Sequence, residues 1–213
     1  MQWYEAVGLV LLVCLSFAFV HSLCVTSVVK GLARGLLGET FLRAFYRLIY
    51  TAFSAATTLA AVYLIISIPD AVLFSVPAWF RWPMHGVQLA GLALGMWSFN
   101  AVHPLEFLGL AQAWRYITNR QAKGDLEGIT RDRLVKTGAY ALVRHPLYLA
   151  GILIFTFQPY ITRNWLTVSV LADAYFVFGA LIEERRLIRR FGEEYRRYMR
   201  EVPRFIPRVS RRG

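Results

Sequence analysis

The chain has 213 residues, 57% of them hydrophobic and 15% aromatic, with a formal net charge of +11 at pH 7. A mean hydropathy of +0.44 is too apolar for an ordinary soluble domain, and the length allows one domain. In so apolar a chain the basic excess reads as loops facing anionic lipid headgroups, not as a nucleic-acid footprint.

The first predicted element is an apolar span from about Trp3 to Val25, long enough to cross about 30 Å of hydrocarbon. Glu5 and the lack of Lys or Arg before the apolar run are unlike a signal peptide, so this stretch is expected to remain as a span. Its two cysteines, Cys14 and Cys24, lie about 15 Å apart by helical rise. That separation is too far for a bridge, and neither a disulfide framework nor a zinc cluster is available.

Further spans are expected at about Tyr46 to Ile68, closed by Pro69-Asp70, and at about His85 to Val102. Gly86, Gly91 and Gly95 in the latter suggest close helix packing. The stretch Asn119 to Thr137, with Gly124, Gly128 and mixed charge, reads as a loop. A short fourth span, about Pro146 to Ile161, needs a thin bilayer or a protein-lined end. The fifth runs from Trp165 to Ile182.

Basic residues alternate between the segments that flank these spans. Lys30, Arg34, Arg43 and Arg47 follow the first, and only Arg81 follows the second. Arg115, Arg120, Lys123, Arg131, Arg133, Lys136 and Arg144 follow the third, only Arg163 the fourth, and the remaining arginines follow the fifth. By the positive-inside rule the N-terminus is outside and the C-terminus cytoplasmic. The expected fold is all-α: five transmembrane helices and a C-terminal cytoplasmic amphipathic helix. In that last helix Leu187, Ile188, Phe191, Tyr195, Tyr198 and Met199 recur at helical spacing between arginines. Gly192 is placed to kink it, and Pro203 and Pro207 to stop it.

The polar motifs gather between Gly138 and Pro207. Arg144-His145-Pro146 with Tyr148 opens the fourth span, and Glu183-Glu184 closes the fifth. The hairpin between them returns both motifs to one side of the membrane. Ionisable groups are costly at that depth, so this side is the candidate site. Blander readings exist. Pro146 suits a first helical turn, and the two glutamates can pair with Arg186, Arg189 or Arg190 for a few tenths of a kcal/mol each. Neighbouring helical positions diverge by about 100°, so Glu183 and Glu184 cannot easily share one role. No GxGxxG after a strand and no P-loop lysine pattern is present.

Arg144-His145-Pro146, Tyr148, Glu183-Glu184 and the FGEEYRRY run together resemble the integral-membrane methyltransferases of the isoprenylcysteine carboxyl methyltransferase type. His21-Ser22, Tyr46 to Tyr50, Glu106 to Gln112, Pro159 and Thr162 look most like the methanethiol S-methyltransferase-like branch. His103-Pro104 does not map onto that branch. The resemblance implies a single domain over 1–213, with a three-helix membrane part at 1–115 and a cofactor-binding core at 138–207. It implies an S-adenosylmethionine site formed by Tyr140, Arg144, His145, Tyr148, Glu184, Tyr195 and Arg204, with Glu183, Arg189 and Arg190 as catalytic candidates. The implied reaction is methyl transfer to a hydrophobic or membrane-partitioning acceptor, a small thiol or a prenylcysteine-type carboxylate, on the cytoplasmic side. Expected partners are membrane lipids and the acceptor, not nucleic acid.

Three alternatives stay open at this point. A phospholipid N-methyltransferase would need a base for its amine. The membrane sterol reductases, which use NADPH, also resemble the C-terminal region. A non-enzymatic membrane protein could dock anionic lipid through its basic helix.

Overall fold

The computed structural model describes residues 1–100, 104–118 and 134–207. His103 and most of the expected 119–137 loop therefore lie outside the described residues. In chain order the elements are α1 (Trp3–Cys24), α2 (Ser27–Leu37), α3 (Glu39–Ser67), β1 (Val72–Ser75), α4 (Ala78–Phe99), α5 (Pro104–Phe107) and α6 (Leu110–Ile117). They continue with α7 (Ala139–Leu142), α8 (Pro146–Thr156), β2 (Tyr160–Thr162), α9 (Arg163–Phe191) and α10 (Glu193–Glu201). The fold is nearly all-α.

Three helices, α1, α3 and α9, are long and apolar enough to cross a membrane. They expose large apolar side chains, among them Leu12, Leu15 and Phe19 on α1, Leu59, Val62 and Ile66 on α3, and Val170 and Phe178 on α9. A hydrocarbon solvent satisfies such faces where water would not. The chain is an integral membrane protein. Of the five expected spans, α4 is as long as α1 but carries Arg81, Pro83, His85 and Gln88 in its first half. At 11 residues, α8 rises only about 16 Å.

Two compact units are present. The first holds α1, α2, α3, α5 and α6. His21 on α1 is buried, with Nε2 2.9 Å from Thr57 Oγ1 and Nδ1 3.3 Å from Ser54 Oγ on α3. The Thr57 hydroxyl donates to the Phe53 carbonyl, so it accepts from His21 Nε2. A buried imidazole thus joins two apolar helices. Further along α3, Arg47 donates from Nε to the Phe107 carbonyl at 2.6 Å and lies over the Phe107 ring. Gly109 adopts φ +84, and a Cβ there would strike the Leu48 backbone. The two motifs at 46–50 and 106–112 are therefore one packing joint.

In the second unit β1 and β2 form a small antiparallel pair, which helical periodicity did not indicate. Thr162 then caps α9, accepting from the Trp165 N–H. α4 packs on α8 through Gly91, where a Cβ would lie 3.0 Å from Leu153 Cβ. α9 packs on α8 through Gly151, whose Cβ would lie 2.5 Å from the Phe176 ring.

The short helix α8 has its last carbonyls satisfied from the side. Gln88 donates to Ile154 O at 3.1 Å, and Trp165 Nε1 and Ser169 Oγ donate to Phe155 O at 3.2 and 3.1 Å. Thr156 donates to Asp173 Oδ2 at 2.7 Å. Helix ends leave four carbonyls without helical partners, and in apolar surroundings protein groups must supply them. Gln88, Trp165 and Ser169 do so here for Ile154 and Phe155.

Candidate functional site

The second unit brings the polar motifs of the hairpin together. Pro146 at the first position of α8 starts that helix where its missing N–H is no loss. His145 sits just before it, and Arg144 and His145 run alongside the chain end. Arg144 N donates to Pro203 O at 2.8 Å and His145 N to Arg204 O at 3.3 Å. The Val202–Arg204 segment is thereby a strap laid against the Arg-His pair. Gly192, at φ +55, ends α9 and lets α10 turn back toward this strap. Pro203 follows α10 and stops it.

Glu184 is the centre of the cluster. Its side chain is 5% exposed. Arg144 donates to Oε1 from Nε at 2.9 Å and from Nη2 at 2.6 Å. Arg204 donates to Oε1 from Nε at 3.1 Å and to Oε2 from Nη2 at 2.6 Å. His145 Nε2 lies 3.3 Å from Oε1. Arg144 uses its remaining Nη1 on the chain end, donating to Met199 O on α10 at 3.0 Å and to Val202 O on the strap at 2.5 Å. A buried carboxylate needs such compensation, because the loss of hydration costs several kcal/mol.

Glu183 is placed differently. Its side chain is 29% exposed, and His145 Nδ1 stands 3.6 Å from Oε2. The Tyr148 hydroxyl also interacts with it, and the Tyr148 ring stacks on His145 with centroids 5.5 Å apart. His145 thus lies between two carboxylates. Burial disfavours its charged form, but the hydrogen bonds and charges of Glu183 and Glu184 outweigh burial and raise its pKa above the ordinary value.

The tyrosines line the same region. The Tyr198 hydroxyl donates to the Tyr140 carbonyl at 2.6 Å, which ties α10 to α7. Burial, followed by the Glu183 charge, pushes the Tyr140 phenol up to about 12. Tyr195 and Tyr198 are raised by burial as well. The Tyr195 hydroxyl is buried near Arg144 with no partner in hydrogen-bonding geometry among the described residues. Lys136 reaches Glu194 at 2.8 Å and adds a surface tie between the 134–138 segment and α10.

The structure thus gathers Tyr140, Arg144, His145, Tyr148, Glu183, Glu184, Tyr195 and Arg204 into one cluster. Arg189 and Arg190, also expected at the site, are exposed on the last turn of α9; Arg190 lies over Phe191. Sequence reasoning missed the role of Arg144 as a holder of the strap backbone, since a side chain bonded to main-chain carbonyls 55 and 58 residues away leaves no mark in local spacing. It also missed Asp173, whose single acidic letter in an apolar span was a signal in itself.

The site defines a membrane protein with a buried cluster of paired charges where its apolar hairpin ends. Comparison with known proteins gives that class its relatives. The chain is 33% identical over 121 residues to methanethiol S-methyltransferase 1 of Bradyrhizobium diazoefficiens, covering 57% of this chain and 40% of that protein. It is 31% identical over 131 residues to methanethiol S-methyltransferase 2 of the same organism, covering 62% and 48%. It is also 35% identical over 132 residues to the cobalt-zinc-cadmium resistance protein CzcN of Cupriavidus metallidurans, covering 61% and 55%. The chain spans about half the length of the curated relatives it matches. No protein-family profile matches it, and no solved structure matches it significantly. The resemblance to the methanethiol S-methyltransferase-like branch read from the motifs is what the curated relatives show.

Proposed function

We propose that this protein is an S-adenosylmethionine-dependent methyltransferase of the membrane, acting on a small or membrane-partitioning thiol. The observation that carries the reading is the buried cluster on Glu184, which leaves Glu183 and the outer edge of Arg204 open beside His145. A half-buried anion and a half-buried cation next to one another suit the amino-acid end of the cofactor, and the buried Tyr195 hydroxyl beside them offers a further polar contact. The methyltransferase names of the relatives support the same class.

When bound, the cofactor supplies an electrophilic methyl group on a sulfonium. The protein's part is to align, to exclude water and to favour the ionised acceptor. A free thiol near pKa 8.5 is only a few per cent thiolate at neutral pH, and the positive field of Arg189 and Arg190 raises that fraction. His145, held between two carboxylates, is suited to orienting Glu183 and Glu184 and not to taking the thiol proton, which leaves to solvent. In this reading α4 and α8 are embedded beside α9, giving five membrane-inserted helices of a single 1–213 domain with its cofactor-binding core at 138–207. The distribution of basic residues supports a topology with the N-terminus outside and the C-terminus and site in the cytoplasm. The exposed arginines of α9 and α10 lie against anionic lipid headgroups.

The test is calorimetric titration of the full chain in detergent with S-adenosylmethionine, with NADPH as control, followed by methyl transfer to methanethiol. Saturable binding of the first alone, with product formed, is expected. NADPH binding would move the protein to the reductases. Binding of neither by folded protein would leave lipid docking as its function.

A further inference from the structure

The helix α2 joins two helices that are long enough to cross a membrane, and it is too short to cross one itself. It has 11 residues, a rise of about 16 Å. Only Val25 and Thr26 separate it from α1, and only Gly38 separates it from α3. Both of its ends are therefore pinned where membrane-crossing helices meet the headgroups. Its surface divides accordingly. Lys30 is buried and Val29 and Ala33 are half-buried, which marks the side packed on α1 and α3. Val28, Leu32 and Leu36 recur every fourth residue and are 68%, 65% and 85% exposed. Ser27, Gly31 and Arg34 form a third, exposed side. At the corner with α3, Gly38 takes φ 77 and ψ 157, a conformation open to glycine alone. That turn brings Arg34 and Arg43 to one carboxylate. Arg34 Nε meets Glu39 Oε2, and Arg43 Nε donates to Oε1 at 2.7 Å. Both arginine side chains are more than half exposed.

We propose that the α2–α3 corner is a binding site for an anionic phospholipid. Arg34 and Arg43, aligned by Glu39, receive the phosphate, and the acyl chains lie along Val28, Leu32 and Leu36. An amphipathic helix held in the plane of the interface buries its apolar side at the boundary of headgroups and chains. The junctions with α1 and α3 put that boundary within reach of the exposed stripe, so lipid and not water covers it. The phosphate follows from the guanidiniums. Each is tied to Glu39 through Nε, and a guanidinium fixed at one edge offers its remaining N–H groups to an oxyanion in a set direction. The lipid is anionic because the two arginines and one glutamate leave a single positive charge in excess. A zwitterionic lipid brings a cation of its own to that excess, whereas an anionic one does not.

The experiment uses the full chain in lipid vesicles, with Cys14→Ala and Cys24→Ala and a bimane fluorophore on Leu36→Cys. Quenching by phosphatidylglycerol with nitroxide-labelled chains is compared with quenching by phosphatidylcholine carrying the same chains. Phosphatidylglycerol is expected to bind beside the fluorophore about 5- to 25-fold more tightly, about five-fold for each arginine. Arg34→Gln should lose about five-fold of that preference, and Arg34→Gln with Arg43→Gln all of it. Arg196→Gln with Arg197→Gln removes the same charge from α10 and should leave the preference unchanged. Soluble glycerophosphoglycerol should not displace the quenching lipid. Equal quenching by the two lipids, or an equal loss from the α10 pair, would reduce the effect to the basic charge of the whole chain and overturn the site. Displacement by the soluble headgroup would make it a site for a free phosphodiester and overturn the lipid. Quenching by neither lipid would mean that protein, such as a second copy of the chain, covers Val28, Leu32 and Leu36, and the proposal would fall.

Discussion

Arg204 and Glu184 meet through two parallel bonds, Nη2 to Oε2 at 2.6 Å and Nε to Oε1 at 3.1 Å. The pair joins the C-terminal strap to the end of a helix that crosses the membrane. Removing the charge from the buried partner strands two guanidiniums. Glu184→Gln is therefore expected to destabilise the protein by about 3–5 kcal/mol. Arg204→Lys keeps the charge but loses the fork, and its partly exposed position limits the loss to about 1 kcal/mol. Thermal midpoints in detergent should fall in that order. Equal midpoints for the Glu184 variant and the wild type would mean that the cluster does not hold the strap.

Two glycines with positive φ separate backbone strain from steric strain. At Gly192, φ +55, an added Cβ meets nothing within 4 Å. At Gly109, φ +84, it would overlap the Leu48 backbone, which cannot swing aside as a side chain would. Gly192→Ala should cost about 1 kcal/mol from conformation alone. Gly109→Ala should cost more, by about 1–3 kcal/mol of overpacking, and should loosen the joint between 46–50 and 106–112. Chemical denaturation of the two variants, or the midpoint of heat-induced aggregation, would rank them. A milder effect at Gly109 would contradict the packing joint.

The sites of greatest legibility were those where a costly letter stood in an apolar run. Arg144, His145, Glu183 and Glu184 could be expected to converge because a hairpin of two helices returns them to one side, and they do. The turn at Gly192 and the stop at Pro203 were likewise written in residues with few conformational options. What stayed hidden depends on partners distant in the chain. Nothing local tells that Glu184 is buried under two guanidiniums while Glu183 is not, since the two letters are identical and the difference lies in where Arg144 and Arg204 arrive. The β1–β2 pair was hidden for a related reason: Val72–Ser75 and Tyr160–Thr162 are each too short to show a period of two.

The blunt end of α8 gives a third prediction. Ile154 O accepts from Gln88, whose Oε1 in turn accepts from His85 Nδ1 at 2.9 Å. Gln88→Leu fills a similar volume and removes the donor, leaving a carbonyl without a partner in apolar surroundings, at a cost of about 1–3 kcal/mol. Ser169→Ala should matter less, because Trp165 Nε1 still serves Phe155 O. Amide hydrogen exchange in detergent should show faster exchange in the last turn of α8 for the Gln88 variant and little change for the Ser169 variant. The reverse order would place the essential cap on α9 and not on α4.

The last prediction concerns pH. His145 lies between Glu183 and Glu184, and its pKa is raised in the folded protein. The unfolded value is about 6.5. Between the two values the folded state binds more protons than the unfolded state, so stability falls as pH rises. The stabilisation is fully present below about pH 6.5 and is lost as pH climbs through the raised folded value. The slope attributable to this one proton can reach about 1.4 kcal/mol per pH unit. A neutral imidazole beyond that point leaves at least one of its two carboxylate contacts without a donor. Thermal midpoints of wild type and His145→Gln, compared at intervals from acid to mildly alkaline pH, should converge as pH increases, the wild type losing its advantage. An advantage that grew with pH would require a neutral His145 in the folded cluster, and the charge balance around Glu183 would have to be redrawn.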